Sequence, residues 1–554
     1  MKGLRTIWPI LLAGIMAISS GAAAAVQVPL DRTDPGLAAK ALREENKAPP
    51  PSRAVPIEPA APAAASSLPS HGILVGAVRI DGAEHVPMAA LMQAVSPFIG
   101  HELSPAALQD LLTAVSGVAR AHGYILARSS IPPQTLTAGV LHVRLDEGRI
   151  DRIETRGARG DTVRAVLSPL LGHAPTGAEL ERQLMLAEDL PGVRLGRVSY
   201  ELRDGRGVLI VPVSRNRVSG RATVDNRGLS ALGPVRAQLE IDFNGLLGDR
   251  DTLTVEGVTT PIQPRELNVI YGRYAYQLND AGTEIAAYGS YGRTRSGGAW
   301  RAYHENGESE SFGVSLTQPL LRGRKVSLWL MGGLDHYAID QHYEGRLVRR
   351  DRLTAANLSL NGYAPLAGGR LRAGAGVTQG LDIWDATRSG DPLASRPGAG
   401  SDFTLFGAWA NWTGDIAGPL SARMAISSQL STRPLLAIEQ ITIGGPVFGR
   451  GYDYSERAGD EGVLGSAELR WKLVDRNHGL VRWAQLYGFA DGGRVTNHRD
   501  SYGTGTLYSA GAGARISLAE HFSLDLEAAF PINKDRYDSG DKSPRLSFSL
   551  TKSF

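Results

Sequence analysis

The 554-residue chain contains no cysteine, which excludes a disulfide framework and thiolate chemistry. Aromatic residues make up only 6% of it, too few for a large helical core, whereas 66 glycines supply turn chemistry in quantity. Neither sign of charge is in excess. The net charge of +3 gives no reason to propose nucleic acid as a partner. Beyond residue 25 no uninterrupted apolar run approaches the length of a membrane helix, so residence in a membrane would require a β-barrel. Catalytic signatures are also missing. No Gly-x-x-x-x-Gly-Lys-Ser/Thr, Gly-x-Ser-x-Gly or His-Glu-x-x-His occurs, and no paired carboxylates stand out. His71, His85, His101, His122 and His142 are scattered rather than set at ligand spacing. We therefore read no catalytic, cofactor or metal site, and expect a protein that is not an enzyme.

What is present falls into segments. Lys2 and Arg5, an apolar run over 7–18 and a small-residue stretch ending at Ala25 read as a signal peptide over 1–25. Within 26–48, Asp34 and Pro35 form an N-cap and a first-turn proline that open a short helix. Residues 49–72 are rich in Pro and Ala and read as an extended linker. Residues 73–148 read as a strand (75–80), a helix (86–95), a second helix capped by Ser104 and Pro105, and strands at 124–129 and 140–146. Leu108, Leu111, Leu112, Val115 and Ala119 share one face of that second helix. The same β-α-α-β-β order recurs over 149–216, where Thr176 and Glu179 form a capping box. An internal repeat of this kind offers a sheet edge and a groove beside a helix, where an extended chain can bind.

From 217 to 554 short strands alternate apolar and polar residues. Leu239, Ile241 and Phe243 face one way and Gln238, Glu240 and Asp242 the other; Phe312, Val314 and Leu316, then Val326, Leu328 and Leu330, repeat the pattern. Charges on one face of strand after strand imply water there, and the apolar opposite face implies lipid or a core; a closed transmembrane barrel with a polar lumen satisfies both, whereas a soluble sandwich would place polar residues outside only. About 335 residues at roughly 20 per strand and loop give on the order of 16 strands. The last strand places Leu546, Phe548, Leu550 and the terminal Phe554 on one face.

Two motifs stand out in the barrel region. In residues 443–456, Arg450 lies between Gly449 and Gly451 and is followed by Tyr452, in a loop whose glycines permit sharp folding and close approach. About forty residues on, Phe489, Asp491 and Gly493 carry one carboxylate, a candidate partner for the guanidinium of Arg450.

This pair of motifs, in this order of parts, resembles the transporters of two-partner secretion (TpsB type) within the Omp85 superfamily. The family's Val-Arg-Gly-Tyr/Phe loop motif reads Gly449-Arg450-Gly451-Tyr452 here, departing at its first position; its second motif matches Phe489, Asp491 and Gly493. Residues 225–229 and 244–249 also resemble the family's barrel entry. The resemblance implies α+β periplasmic domains plus an all-β part: a helix that plugs the pore, two tandem POTRA domains (73–148 and 149–216) and a barrel (217–554) in the bacterial outer membrane. It implies that Arg450, at the tip of the sixth extracellular loop, folds back to meet Asp491 on the inner wall. Phe554 would be the terminal aromatic read by the barrel assembly machinery. The implied partners are an unfolded TpsA-type exoprotein in the periplasm, periplasmic chaperones and the assembly machinery during biogenesis, and outer-membrane lipid; no cofactor is implied. A second reading, an Omp85-type insertase that assembles other barrels, shares the loop motif but usually has more POTRA domains and lacks the tethered helix.

Overall fold

A computed structural model of the chain describes residues 34, 36, 56–57, 72–135, 139–157, 160–476, 478–499 and 503–554. The signal peptide and most of the N-terminal helix and linker lie outside these residues.

The first α+β unit is built on a three-stranded sheet in which Ala77–Asp81 runs parallel to Val140–Asp146 and Arg128–Ser130 pairs antiparallel beside it. Helices Met88–Val95 and Pro105–Ala121 pack the apolar face, and Ser104 caps the second by accepting the amide of Ala107. Three local readings are corrected here. The strand at 75–80 is two strands, Ile73–Val75 and Ala77–Asp81, broken where the amide of Gly76 turns to the carbonyl of Gly139. A three-residue strand between the helices, His101–Leu103, pairs with Ile73–Val75. The expected strand at 124–129 is only Arg128–Ser130, because residues 124–127 form a turn in which Leu126 enters the core of the second unit and Ala127 that of the first. Consecutive residues buried on opposite sides of a domain boundary override strand alternation.

The second unit has Arg152–Gly157 parallel to Arg206–Arg215, with Val193–Leu195 and Ser199–Arg203 in succession along the other side of that central strand. The capping box at Thr176 and Glu179 opens helix Gly177–Glu188. The end of this helix seats the unit on the barrel. Asp189 takes a two-pronged contact from Arg322 at 2.5 and 2.7 Å, and Glu181 accepts the amide of Arg324. Asp249 of a barrel turn is held by Arg215 at 2.7 Å.

Sixteen antiparallel strands, from Val218–Asp225 to Arg545–Ser553, close the barrel. The seam joins the first strand to the last over Arg221 to Asp225, and Gly220 and Phe554 exchange both backbone hydrogen bonds beyond it. The alternation sorts side chains as lipid on one face and water on the other demand: Leu239, Phe312, Val314, Leu316, Ile426 and Leu469 are exposed on the outside, while acidic, amide and hydroxyl groups line the lumen. Val326 falls in the turn before strand Ser327–Tyr343 rather than in the strand itself. Among the described residues no helix is long and apolar enough to cross a membrane. We call the end of the barrel that meets the second α+β unit the near mouth and the opposite end the far mouth.

Candidate functional site: an arginine seated in the lumen

Eleven strands in, the chain leaves the far mouth at Ser431 and returns at Glu461, making the sixth far-mouth loop. Its middle folds back into the lumen, and two glycines make the fold possible. Gly449 has φ +74°, which disfavours any side chain, and a Cβ on Gly451 would lie 2.8 Å from the backbone of Phe530 in the barrel wall.

Between these glycines Arg450 is buried with every arm occupied. Its Nε donates to Asp491 at 2.5 Å, Nη1 to Glu468 at 2.9 Å and Glu527 at 3.1 Å, and Nη2 to Ser466 at 3.1 Å. The guanidinium carbon lies 3.4 Å from the centre of the Phe489 ring. Asp491 is equally saturated: its other oxygen accepts the backbone amides of Gly449 and Arg450 and the hydroxyl of Ser509. Glu468 is shared with Arg515 and Arg470, and the Tyr487 hydroxyl donates to Glu527 at 2.9 Å beneath the Arg515 guanidinium. Arg450, Arg470 and Arg515 thus meet Asp491, Glu468 and Glu527 in near charge balance. A buried ion pair is worth forming only when both partners are fully satisfied, as here.

The residues after Arg450 extend the seat. Tyr452 is fully buried and its hydroxyl donates to Asn533, while Arg545 of the last strand donates to the Tyr452 carbonyl and contacts Asp453. Asp453 also accepts the Ser230 hydroxyl from the first far-mouth loop, so the tip is tied to both sides of the seam. Of the motif residues, Gly449, Arg450, Phe489 and Asp491 come together directly. Tyr452 is one turn away, and Gly493 sits further along the Asp491 strand, where the Val463 carbonyl would lie 2.4 Å from a Cβ. Phe554 is remote, at the near end of the seam. Glu468, Glu527, Ser466 and Arg515 were not singled out in the sequence, because each occupies an ordinary lumen-facing strand position and only pairing across strands reveals its partner.

A second buried arginine lies toward the far mouth. Arg349 donates to Asp351 at 2.6 and 2.9 Å and to Gln341 at 3.2 Å, and contacts Asp34 at 2.9 Å. Asp34 also accepts the amide of Gly36 at 2.7 Å, the contact of a helix N-cap, and Gly36 lies against Ile339 and Ile438. The other oxygen of Asp351 accepts the amide of Ser395 in the fifth far-mouth loop, and the Ser395 hydroxyl accepts the amide of Ala437 in the sixth. Between the two mouths a cavity of about 1220 Å³ runs through the barrel; Asn357, Ser359, Thr378, Ser427 and Gln429 line one side, and Asp242, Arg273 and Glu284 the other.

Comparison with known proteins agrees with this architecture. The family model described as haemolysin secretion/activation protein ShlB/FhaC/HecB matches residues 205–516, more than half of the chain, and a ShlB-type POTRA domain matches residues 73–148. The outer membrane transporter CdiB of Escherichia coli O6:K15:H31 (strain 536 / UPEC) is 25% identical over 475 residues, covering 83% of this chain and 79% of that protein. The heme/hemopexin transporter protein HuxB of Haemophilus influenzae (strain 86-028NP) is 21% identical over 498 residues, covering 82% of each. Among solved structures, CdiB from Escherichia coli superposes with a TM-score of 0.68 at 21% identity, covering 95% of this chain and 99% of that one. BamA from Haemophilus ducreyi lacking POTRA domains 1–3 superposes less well, with a TM-score of 0.56 at 13% identity, covering 87% and 100%. The family match and the transporter relatives favour a transporter over an insertase. The chain belongs to the ShlB/FhaC/HecB haemolysin secretion/activation family, the outer-membrane transporters of two-partner secretion, with its POTRA region in the periplasm and the far mouth outside the cell.

Proposed function

We propose that the transporter takes one TpsA-type exoprotein, unfolded, from the periplasm through its two α+β units, both acting as POTRA domains, and passes it through the lumen to the cell surface or medium. Folding outside would supply the drive, since a folded domain cannot slide back. The observation that carries this reading is the Arg450 seat. Three carboxylates from three strands hold one loop against the wall and fix how wide the lumen is, while the remaining passage has amides and hydroxyls on one side and Asp242, Arg273 and Glu284 on the other. The segment beginning at Asp34 acts as a plug in the resting state, held at the far mouth by Arg349. During biogenesis, periplasmic chaperones deliver the chain and the barrel assembly machinery reads its Phe554 end.

The test is deletion of the gene in its own host, followed by a comparison of secreted and outer-membrane proteins with the parent. Loss of one large exoprotein with the outer-membrane profile unchanged is expected. A general fall in many barrels would replace this reading with an insertase.

A further inference from the structure

The apolar belt on the outside of the barrel ends in a row of cross-strand partners, and a far-mouth loop comes down onto that row. On strand Glu305–Arg322 the outward side chains run Leu316, Val314 and Phe312, then change to Glu310 and Glu308. Register places Phe312 beside His336, His336 beside Thr354, and Thr354 beside Leu381. The next row toward the far mouth carries Glu310, Ala338 and Arg352, so lipid gives way to water between the two rows.

The fifth far-mouth loop leaves from Leu381 at the end of this row. Trp384 then lies over the row, its ring 5.7 Å from that of Phe312 and 5.6 Å from that of His336. Trp384 and Ile383 are nevertheless 54% and 42% exposed, and with Phe312 they make an apolar patch at the height where the charged residues begin. Placing the indole there takes φ +55° at Trp384 and +58° at Asp385, two successive non-glycine residues in the left-handed region, which costs free energy unless the ring gains a favourable site. Water gives a half-exposed indole little in return. The headgroup zone of a bilayer suits it, because that zone is apolar on one side and wet on the other. The same loop is also strapped to the wall. Thr387 donates its amide to the Arg352 carbonyl and accepts the Arg352 amide on its hydroxyl, both at 2.8 Å, and the Leu393 carbonyl accepts the Arg350 amide at 2.7 Å. Between Arg350 and Arg352, Asp351 takes the Ser395 amide and holds Arg349, the partner of Asp34.

We propose that Trp384, with Ile383 and Phe312 beside it, is a foot by which the fifth far-mouth loop rests in the headgroup zone of the outer leaflet, so that the lipid surface holds the loop where Ser395 meets Asp351. The occupant of the patch is lipid because the patch continues the lipid-facing belt without a break, from Leu316 and Val314 through Phe312 to the indole. The foot needs only the barrel in its membrane. Its effect on the N-terminal segment rests on the plug reading above: a loop lifted off the lipid loosens its strap on Asp351, and with it the grip of Arg349 on Asp34.

The test uses the full chain, whose lack of cysteine gives a clean background. Ile383→Cys is labelled with an environment-sensitive fluorophore, and the protein is placed in phosphatidylcholine vesicles containing lipid that carries a nitroxide at the headgroup. Quenching at least about twofold stronger than that of the same fluorophore at Ser389→Cys, an exposed position further along the loop, is expected. Equal quenching at the two positions overturns the proposal. A second measurement reads the coupling in planar bilayers. Short-chain phosphatidylcholine thins the bilayer and draws the interface away from the foot, so the open fraction of single channels is expected to rise at least about threefold over that in ordinary-chain lipid. Trp384→Ala, which lacks the foot, is expected to be equally open in both lipids. A parent chain indifferent to thickness, or a variant as sensitive as the parent, overturns the coupling. Asp34→Asn is measured alongside: should it fail to raise the open fraction in either lipid, the plug reading is lost, while the foot is still judged by the quenching alone.

Discussion

Two of the buried arginines, Arg450 and Arg349, are wired in opposite senses. Arg450 arrives on a loop and finds its carboxylates on the wall; Arg349 belongs to the wall, and one of its carboxylates, Asp34, arrives on the N-terminal segment. Removing the loop would leave Asp491, Glu468 and Glu527 with Arg470, Arg515 and Arg423 on the wall, and Asp491 would lose both its guanidinium and its two loop amides. Removing the N-terminal segment would leave Arg349 still forked onto Asp351 and bonded to Gln341. The same residue type thus makes a costly departure in one place and a cheap one in the other. The difference lies in which side keeps a spare partner.

The largest effect should come from breaking the costly side. Arg450→Ala leaves three buried carboxylates short of their cation, a local loss of about 3–5 kcal/mol, so secretion should fall at least tenfold while the barrel remains inserted and heat-modifiable on gels. Arg450→Lys should recover only a small part, because an ammonium cannot spread its donors over Asp491, Glu468 and Glu527 at once or lie flat on Phe489. Normal secretion by either variant would undo the asymmetry argued above.

Next come the two ends of the cheap contact. Arg349→Ala strands Asp34 and Asp351 together without a cation and should cost about 3–5 kcal/mol, seen as a lowered midpoint of far-mouth unfolding. Asp34→Asn leaves the wall pair intact and should cost only about 1–2 kcal/mol, yet it should raise the open fraction of single channels in planar bilayers. If the two variants behave alike, the spare-partner argument is wrong.

The smallest effect sharpens the comparison from outside the membrane. Glu147, in the first α+β unit, is a buried carboxylate held without any arginine, by the amides of Glu84, His85 and Val86 and the ring of His85. Burial alone would raise its pKa, but these donors outweigh burial and hold it below the ordinary glutamate value of 4.5. A depressed folded pKa contributes stability that is fully present above pH 4.5 and lost as the pH falls below that value toward the folded pKa. The unit should therefore lose stability on acidification through this range, and Glu147→Gln should flatten that dependence when thermal midpoints are compared between pH 6 and 3.

The sequence made the architecture legible because its signals are periodic and repeated. Alternation over more than three hundred residues fixes a barrel, and a recurring β-α-α-β-β order fixes two small units. It made Arg450 and Asp491 legible because glycines on both sides of an arginine are unusual within alternating strands. Glu468 and Glu527 stayed hidden for the converse reason: a carboxylate on the water side of a lumen strand looks like every other one until register brings it beside Arg450. Leu126 misled through a similar ambiguity, since an apolar residue near a strand gives no sign of which of two cores it will enter. The Arg349 contact could have been suspected from the charged run 349–352, but nothing local ties that run to an aspartate more than three hundred residues earlier.

Asp351 has one further consequence. One of its oxygens serves Arg349, the holder of Asp34, and the other serves Ser395, through which the fifth loop grips the sixth. Two clasps share one hinge pin. By linkage, whatever factor a closed pair of outer loops adds to retention of the N-terminal segment, that segment must add to closure of the loops. A disturbance felt at the outer surface is thereby readable at the tether, and a pull on the tether is readable outside.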